Sequence, residues 1–297
     1  LYGAQLIALG EAEVVLAGGA ENMSQTPHVI RGARWGLPLG KSALEDSLWV
    51  SLVDPFCNLG MANTAENLAR QYKLSREEVD DFGYRSHRAA SAATQAGTLR
   101  EEMVPVTLSD RKGNKTEFLT DEHIRHDVDR AKMASLRPAF EKDGVVTAGN
   151  ASGINDGAAA VVLMSAEAAK QRKLTPLGRV AAWDYVGVPP EIMGIGPAHS
   201  IRRIWKKSGY SDTDIDLYEI NEAFAAQYLA VEKDLGLNRD KVNVNGGAVA
   251  IGHPLAASGT RLSLTLLYEL RRRKARRGIA SLCIGGGQGI AALFERV

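Results

Sequence analysis

The run Gly278-Ile279-Ala280-Ser281-Leu282-Cys283-Ile284, closed by Gly285-Gly286-Gly287, decides how this chain is read. It is short and apolar, follows a long amphipathic stretch and ends on glycines, which predicts a helix leading into a buried strand. The same pattern occurs near the other end. Residues 1–9 read as a helix stopped at Gly10, residues 12–17 as a buried strand, and Gly18-Gly19 follow. With Gly10 laid on Gly278, Ala12 falls on Ala280, residues 14–16 on 282–284, and Gly18-Gly19 on Gly286-Gly287. A diverged duplication of a helix-strand-glycine unit accounts for the match and predicts two similar α/β halves.

Between the two copies, residues 21–149 have another texture. A turn-rich stretch gives way to a helix over 64–72. A second helix starts after Ser75, whose hydroxyl and Glu78 form a capping box, and stops near Gly97. Residues 104–108 and 116–119 flank a polar turn, as in a hairpin. This is the texture of an inserted domain. Beyond Gly149, strands are predicted over 158–164, 177–186, 217–220 and 242–245, with helices after Ser165 and over 222–235 and 255–273. That alternation predicts a mixed, largely parallel sheet.

Thirty-six basic residues against 35 acidic ones leave a net charge of +1, so no bulk field recruits nucleic acid or a membrane surface. An anionic ligand must be gripped locally. Only two cysteines occur, Cys57 and Cys283, which speaks against a disulfide framework and for a reducing compartment. No run of about 18 apolar residues appears, so no bilayer insertion is expected. The chain opens on Leu1, inside a helix, as a processed product or an incomplete stretch would. The six cations between Arg271 and Arg277 lack interleaved aromatics. They read as the dipole-complementing end of a helix rather than an RNA or lipid surface.

Three segments put small or polar residues where a strand gives way to a helix: Asn221-Glu222-Ala223-Phe224-Ala225, residues 246–259, and residues 283–289. In α/β sheets such places expose ligand sites, and glycine amides there can bind an oxyanion. A lone histidine is more often structural. His253, however, lies between Gly252 and Pro254 just before a helix, where its ring can be held with one face open. Cys283, at a strand end before three glycines, is either an inert core thiol or a reactive one. A converging histidine, thiol and glycine amides make proton transfer beside a thioester carbonyl the natural reaction class.

Asn221-Glu222-Ala223-Phe224, Gly252-His253-Pro254 and Cys283-Ile284-Gly285-Gly286-Gly287 resemble, in order and spacing, the three C-terminal signature motifs of the thiolase family. The likeness runs along the whole chain and includes Gly18-Gly19-Ala20-Glu21-Asn22-Met23-Ser24 and residues 150–157. Residues 45–49 and 64–68 are similar to the mitochondrial 3-ketoacyl-CoA thiolases of fatty-acid oxidation. The resemblance implies duplicated α/β halves with mixed sheets, built from residues 1–23 with 155–176 and from 177–297. Residues 24–154 would be an inserted loop domain serving CoA binding and oligomerisation.

The implied reaction is thiolytic cleavage of a 3-ketoacyl-CoA by CoA, or the reverse Claisen condensation, through a ping-pong acyl-enzyme. By resemblance His253 is the base that activates the nucleophile, and Cys283 is the thiol that shuttles the α-carbon proton. Asn221 positions a water in the oxyanion hole, and Gly285 offers its N–H to a second oxyanion. Ser152 and Ala148 match residues lining the pantetheine, Arg125 the nucleotide end, and Leu52, Met61 and Phe224 the acyl wall. The family uses coenzyme A as substrate, with no metal and no permanently bound cofactor. A homodimer or homotetramer in the mitochondrial matrix, or alternatively the bacterial cytoplasm, is implied as well.

The sequence departs from that pattern in three places. The family's Cys-Gly-Ser-Gly nucleophile segment does not occur in it, and Cys57, in a turn-rich setting, is no replacement. As printed, the chain is therefore expected to be inactive; the alternative is a non-catalytic acyl-CoA-binding subunit. Ala256 stands where the family has glycine, which would strain the backbone if φ there were positive. Gly60 stands where some members have a histidine, which leaves room for longer acyl chains.

Overall fold

Alternate residues of two neighbouring strands feed two different cores, and that alternation organises the larger half of the molecule. The computed structural model describes residues 1–297. In chain order its elements are α1 (Tyr2–Ala8), β1 (Val14–Glu21), β2 (His28–Val29), β3 (Glu45–Asp46), α2 (Ser47–Ser51), α3 (Met61–Gln71) and α4 (Arg76–Gln95). There follow β4 (Val106–Ser109), β5 (Lys115–Phe118), α5 (Arg130–Ser135), β6 (Gly157–Met164), α6 (Ala166–Gln171) and β7 (Arg179–Gly187). The chain ends with α7 (Gly196–Ser208), β8 (Leu217–Ile220), α8 (Ala225–Leu235), α9 (Ala248–Ile251), α10 (Leu255–Arg273), β9 (Arg277–Ile284) and β10 (Gln288–Glu295).

A four-stranded sheet has the order β7-β10-β9-β8. Ile279, Ala291 and Leu293 face Ala198, Ile201 and Ile204 of α7 in the main core. Their neighbours Ala280, Ala292 and Phe294 face Leu262, Leu266 and Leu270 of α10. Burial on both faces explains why these strands are apolar throughout rather than alternating. Only β8 and β9 run parallel, while β7–β10 and β10–β9 are antiparallel. The sheet is thus mixed as expected but mainly antiparallel rather than largely parallel, because β9 turns back through a tight glycine turn into β10, which pairs antiparallel with both β9 and β7.

The second sheet pairs β1 with β6, antiparallel over eight residues each. Both strands were expected to be buried, yet every second side chain is exposed, Leu16 at 75% and Val162 at 60%. The inner face packs on α1, where Gly3 meets Val15 and Leu163, and on the start of α10, where Gly19 meets Ala256; the outer face is open. Gly18 and Gly19 lie inside β1, whereas Gly286 and Gly287 form a turn with φ of +80° each. The two copies of the pattern therefore use their glycines differently.

Residues 242–245 are not a strand. Val242 makes one isolated bridge to Tyr218, and Asn243 takes a left-handed φ of +46°. The Asn243 side chain then bonds Ile220 twice, accepting from its N–H at 2.9 Å and donating to its C=O at 2.8 Å, so a side chain pairs with the strand edge in place of a backbone. The concern over Ala256 also falls away, since it lies inside α10 in helical conformation and is not among the positive-φ residues. The helix expected from residue 222 begins at Ala225, with Phe224 as its N-cap.

Candidate active site

β8 and β9 run in the same direction, so Asn221 and Gly285, the residues just past their last ones, emerge at one end of the sheet. The Asn221 N–H donates to the Ser281 carbonyl at 2.9 Å, which holds it against β9. Its side chain then reaches His253, with Nδ2 lying 3.1 Å from Nε2 of the ring. The Asn221 Oδ1 atom is buried and has no hydrogen-bond partner within the protein, an acceptor that fits a donor brought in with a ligand.

His253 is fixed from four sides. Its N–H donates to the Gly153 carbonyl at 3.3 Å, and its Nδ1 stands 2.7 Å from Ser258 Oγ. Gly252 before it has φ +92°, and a Cβ there would strike the Asn155 side chain; Pro254 after it packs on Gly157. Burial, with the charge of Arg261 adding, pushes the imidazole pKa down to about 4, so the ring is neutral near pH 7. A neutral, oriented imidazole is the form that accepts a proton.

The segment carrying Asn221 is braced by Glu222, which is fully buried. Its carboxylate accepts from Ser86 Oγ at 2.6 Å, Asn243 Nδ2 at 2.8 Å and the Val249 N–H at 3.1 Å. α4, the end of β8 and α9 thereby share one anchor. Burial nonetheless pushes its pKa up, against the pull of those bonds.

Cys283 packs with Met193 and Ala223, and Met61 and Phe224 lie against the same cluster. Burial pushes its thiol up to about 12. Cys57 sits in a loop as expected, half-buried, and burial raises its pKa too. Met61 also borders Gly285, its Sδ lying 3.5 Å from where a Cβ would be, and its N–H donates to the Leu52 carbonyl at 2.9 Å. Leu52, Met61, Phe224, Cys283 and Gly285 therefore converge.

Ser152 joins them from the other side. Residues 150–152 run antiparallel to 223–225 through the Ala151–Phe224 bridge, and the Ser152 N–H donates to the Ala223 carbonyl at 3.1 Å. Ala148 is exposed in the preceding turn. Arg125 stands further out, exposed, with its N–H donating to His87 Nδ1 at 3.2 Å. It is linked to the others through His123, whose ring covers Gly153. Sequence reasoning passed over Ser258, Glu222 and Asp54. Ser258 lies within the quoted glycine-histidine segment, so its spacing from His253 was the available signal. Asp54 carried none.

A neutral histidine, a neutral buried thiol and a glycine turn whose first residue, Gly285, is exposed at the end of parallel strands suit acyl-group chemistry, and the comparisons agree. Residues 1–167 match the thiolase N-terminal domain and residues 174–296 the thiolase C-terminal domain. The chain belongs to the thiolase family, whose members are acyltransferases. It is 51% identical over 294 residues to an acetyl-CoA acetyltransferase of Chromobacterium violaceum, covering 99% of this chain and 75% of that one. It is 50% identical over 294 residues to the mitochondrial 3-ketoacyl-CoA thiolase of Homo sapiens, covering 99% and 74%. The crystal structure of human mitochondrial 3-ketoacyl-CoA thiolase superposes with a TM-score of 0.97 at 50% identity, covering 100% of this chain and 75% of that one. The same human enzyme in complex with CoA gives 0.95 at 49%, covering 100% and 74%. No helix of this chain is long and apolar enough to cross a membrane.

Proposed function

We propose that the site works on 3-ketoacyl-CoA thioesters, cleaving them with coenzyme A to acetyl-CoA and a shortened acyl-CoA, as in fatty-acid β-oxidation. The observation that carries this is the convergence of His253, Asn221, Cys283 and Gly285 at one sheet end, with Leu52, Met61 and Phe224 alongside. In thiolysis a thiolate adds to the 3-keto carbon, the bond to the α-carbon breaks, and the released acetyl-CoA carbanion must take up a proton. A Cys283 thiol held neutral is in the state that supplies it. The acyl thioester left behind then passes to the sulfur of CoA, a step that needs the family's nucleophilic cysteine, which neither Cys57 nor Cys283 supplies. His253 serves as the base toward the attacking thiol. Ser152 and Ala148 would line the pantetheine, and Arg125 would meet the nucleotide end. Residues 24–154 would form the CoA-binding loop domain between two halves, 1–23 with 155–176 and 177–297.

One observation favours a second reading, an acyl-CoA-binding subunit without turnover: neither Cys57 nor Cys283 is activated as a thiolate. A homodimer or homotetramer and a mitochondrial-matrix setting complete the proposal, the alternative being a bacterial cytoplasm. The test is loss of acetoacetyl-CoA absorbance on adding CoA, with binding of CoA measured in parallel. Turnover removed by His253→Ala and Cys283→Ala supports thiolysis. CoA binding with no turnover supports the subunit reading, and turnover indifferent to both substitutions overturns the site.

A further inference from the structure

The loop before α3 is closed on itself. Val53 bridges Gly60, the Asp54 N–H donates to the Leu59 carbonyl, and the Asn58 N–H donates back to the Asp54 carbonyl, both at 2.8 Å. Within it the Asp54 side chain is 1% exposed. Its Oδ1 accepts the N–H of Phe56 at 2.8 Å and of Cys57 at 3.3 Å, which satisfies the turn in the usual manner of an aspartate. The carboxylate also holds the Cys57 thiol, and its Oδ2 leads out of the loop. It reaches the N–H of Gly286, 232 residues along the chain, at 2.7 Å. Burial opposes the charge, but the amides of Phe56, Gly286 and Cys57 outweigh it and hold the carboxyl below the usual range, so the acceptor is ionised.

This one bond constrains the glycine turn. Gly286 has φ +80° and spends its amide on Asp54, so it is not free to meet an oxyanion. The same peptide plane carries the Gly285 carbonyl, which is turned to Gln288 Nε2 at 3.3 Å. Gly285 follows Ile284, the last paired residue of β9, and its own N–H lies outside the ladder. Fixing the plane on one side of Gly285 limits where that N–H points. The loop that fixes it also runs between Leu52 and Met61, two residues of the proposed acyl wall.

We propose that Asp54 is a positioning residue for the site: its Oδ2 anchors the Gly285–Gly286 peptide, aims the Gly285 N–H, and couples that aim to the loop beside the acyl group. The inference rests on the proposed thiolysis site and on Gly285 being its oxyanion donor, the role that the thiolase resemblance implies for it. Asp54→Asn keeps an acceptor for the turn but sets a donor against the Gly286 N–H. Asp54→Ser keeps an acceptor near the turn amides and is too short to reach Gly286.

The test uses glycine-labelled protein and amide NMR, with acetyl-CoA as the probe. In the unsubstituted chain the Gly286 amide is expected downfield and protected, and acetyl-CoA is expected to shift the Gly285 amide. In both variants the Gly286 amide should move upfield and exchange at least tenfold faster, and the acetyl-CoA response of Gly285 should fall by half or more. Gly209 and Gly236, at distant helix ends, should stay in place. Where turnover is measurable, kcat should fall tenfold or more with KM changed less than threefold. No response of Gly285 in the unsubstituted chain would sink the reading of Gly285 and not the anchor. A full response in both variants, or an unmoved Gly286, would sink the role of Asp54. Should one variant move the distant glycines, the other decides.

Discussion

Ser258 Oγ stands 2.7 Å from Nδ1 of His253 and gives its own proton to the Pro254 carbonyl, 2.9 Å away. With the hydroxyl proton on that carbonyl, its oxygen accepts from the ring, an arrangement that puts the imidazole proton on Nδ1. Nε2 is left as a lone pair, and it accepts from Asn221 Nδ2. A residue without charge thus sets the tautomer of the proposed base.

Ser258→Ala should therefore lower turnover more than stability. Losing one buried hydrogen bond costs about 1 kcal/mol of folding. A ring free to exchange tautomers should cost on the order of 10- to 100-fold in kcat, read from steady-state thiolysis alongside a urea titration. Equal losses in kcat and in melting behaviour would mean that Ser258 only packs.

A second expectation concerns acid. His87 is buried, and burial, helped by the charges of His123 and Arg125, pushes its pKa down to about 4. The unfolded chain takes up this proton near pH 6.5 and the folded chain only near 4, so the stability it carries is complete above 6.5 and is lost as pH falls toward 4. At pH 4.5 the loss from this group is about 2 to 3 kcal/mol. His87→Gln should flatten that limb of the urea midpoint against pH; an unchanged limb would remove His87 from the account.

Glu102 works in the opposite direction. Burial pushes its pKa up to about 7, although the Thr265 hydroxyl donates to it at 2.9 Å and Arg261 and Arg272 lie near. The folded state holds this proton longer than the unfolded one, so its contribution is present below pH 4.5 and lost as pH rises through 7. Between pH 5 and 8, Glu102→Gln should gain about 2 kcal/mol relative to the unsubstituted chain, as measured by chemical denaturation. A gap that does not change with pH would show the carboxyl to be ionised throughout.

Gly19→Ala should be among the most damaging single changes in the chain. A Cβ at Gly19 would fall on the Ala256 carbonyl, backbone against backbone, and Ala256 is three residues beyond His253. The same helix start is held by Glu21, whose Oε2 accepts the Ala256 N–H at 3.0 Å. About 3 kcal/mol of destabilisation is expected, together with lost activity. Glu21→Gln should cost less than 1 kcal/mol by weakening the charge at the helix N-terminus. Thermal melts of both variants rank the two effects.

Local chemistry was legible in the sequence, and contacts between distant segments were not. The capping box at Ser75 and Glu78 and the start of α10 after Pro254 follow from short-range rules, and they lie where those rules place them. Residues 242–245 misled because their apolar spacing resembles a strand, while the side chain of Asn243 takes over the pairing. β1 and β6 are strands as read, and an apolar run does not say how many of its faces this stretch of chain covers. Of the site, the histidine, the thiol and the glycine turn carry recognisable neighbours in sequence. Glu222 touching Ser86, and Asp54 touching Gly286, join residues whose local context is ordinary, and only the folded chain brings them together.

The helix α10 leaves from beside His253 and the strand β9 returns to Cys283. Nineteen helical residues span about 28 Å, and eight strand residues span about 26 Å. The outward and return legs are matched to within a residue or two, with the left-handed Lys274 near the reversal. Length is therefore inherited jointly: inserting a helical turn into α10 would carry Cys283 away from His253 unless β9 grew by about two residues as well. Alignments of this hairpin should tolerate substitution far more readily than insertion or deletion.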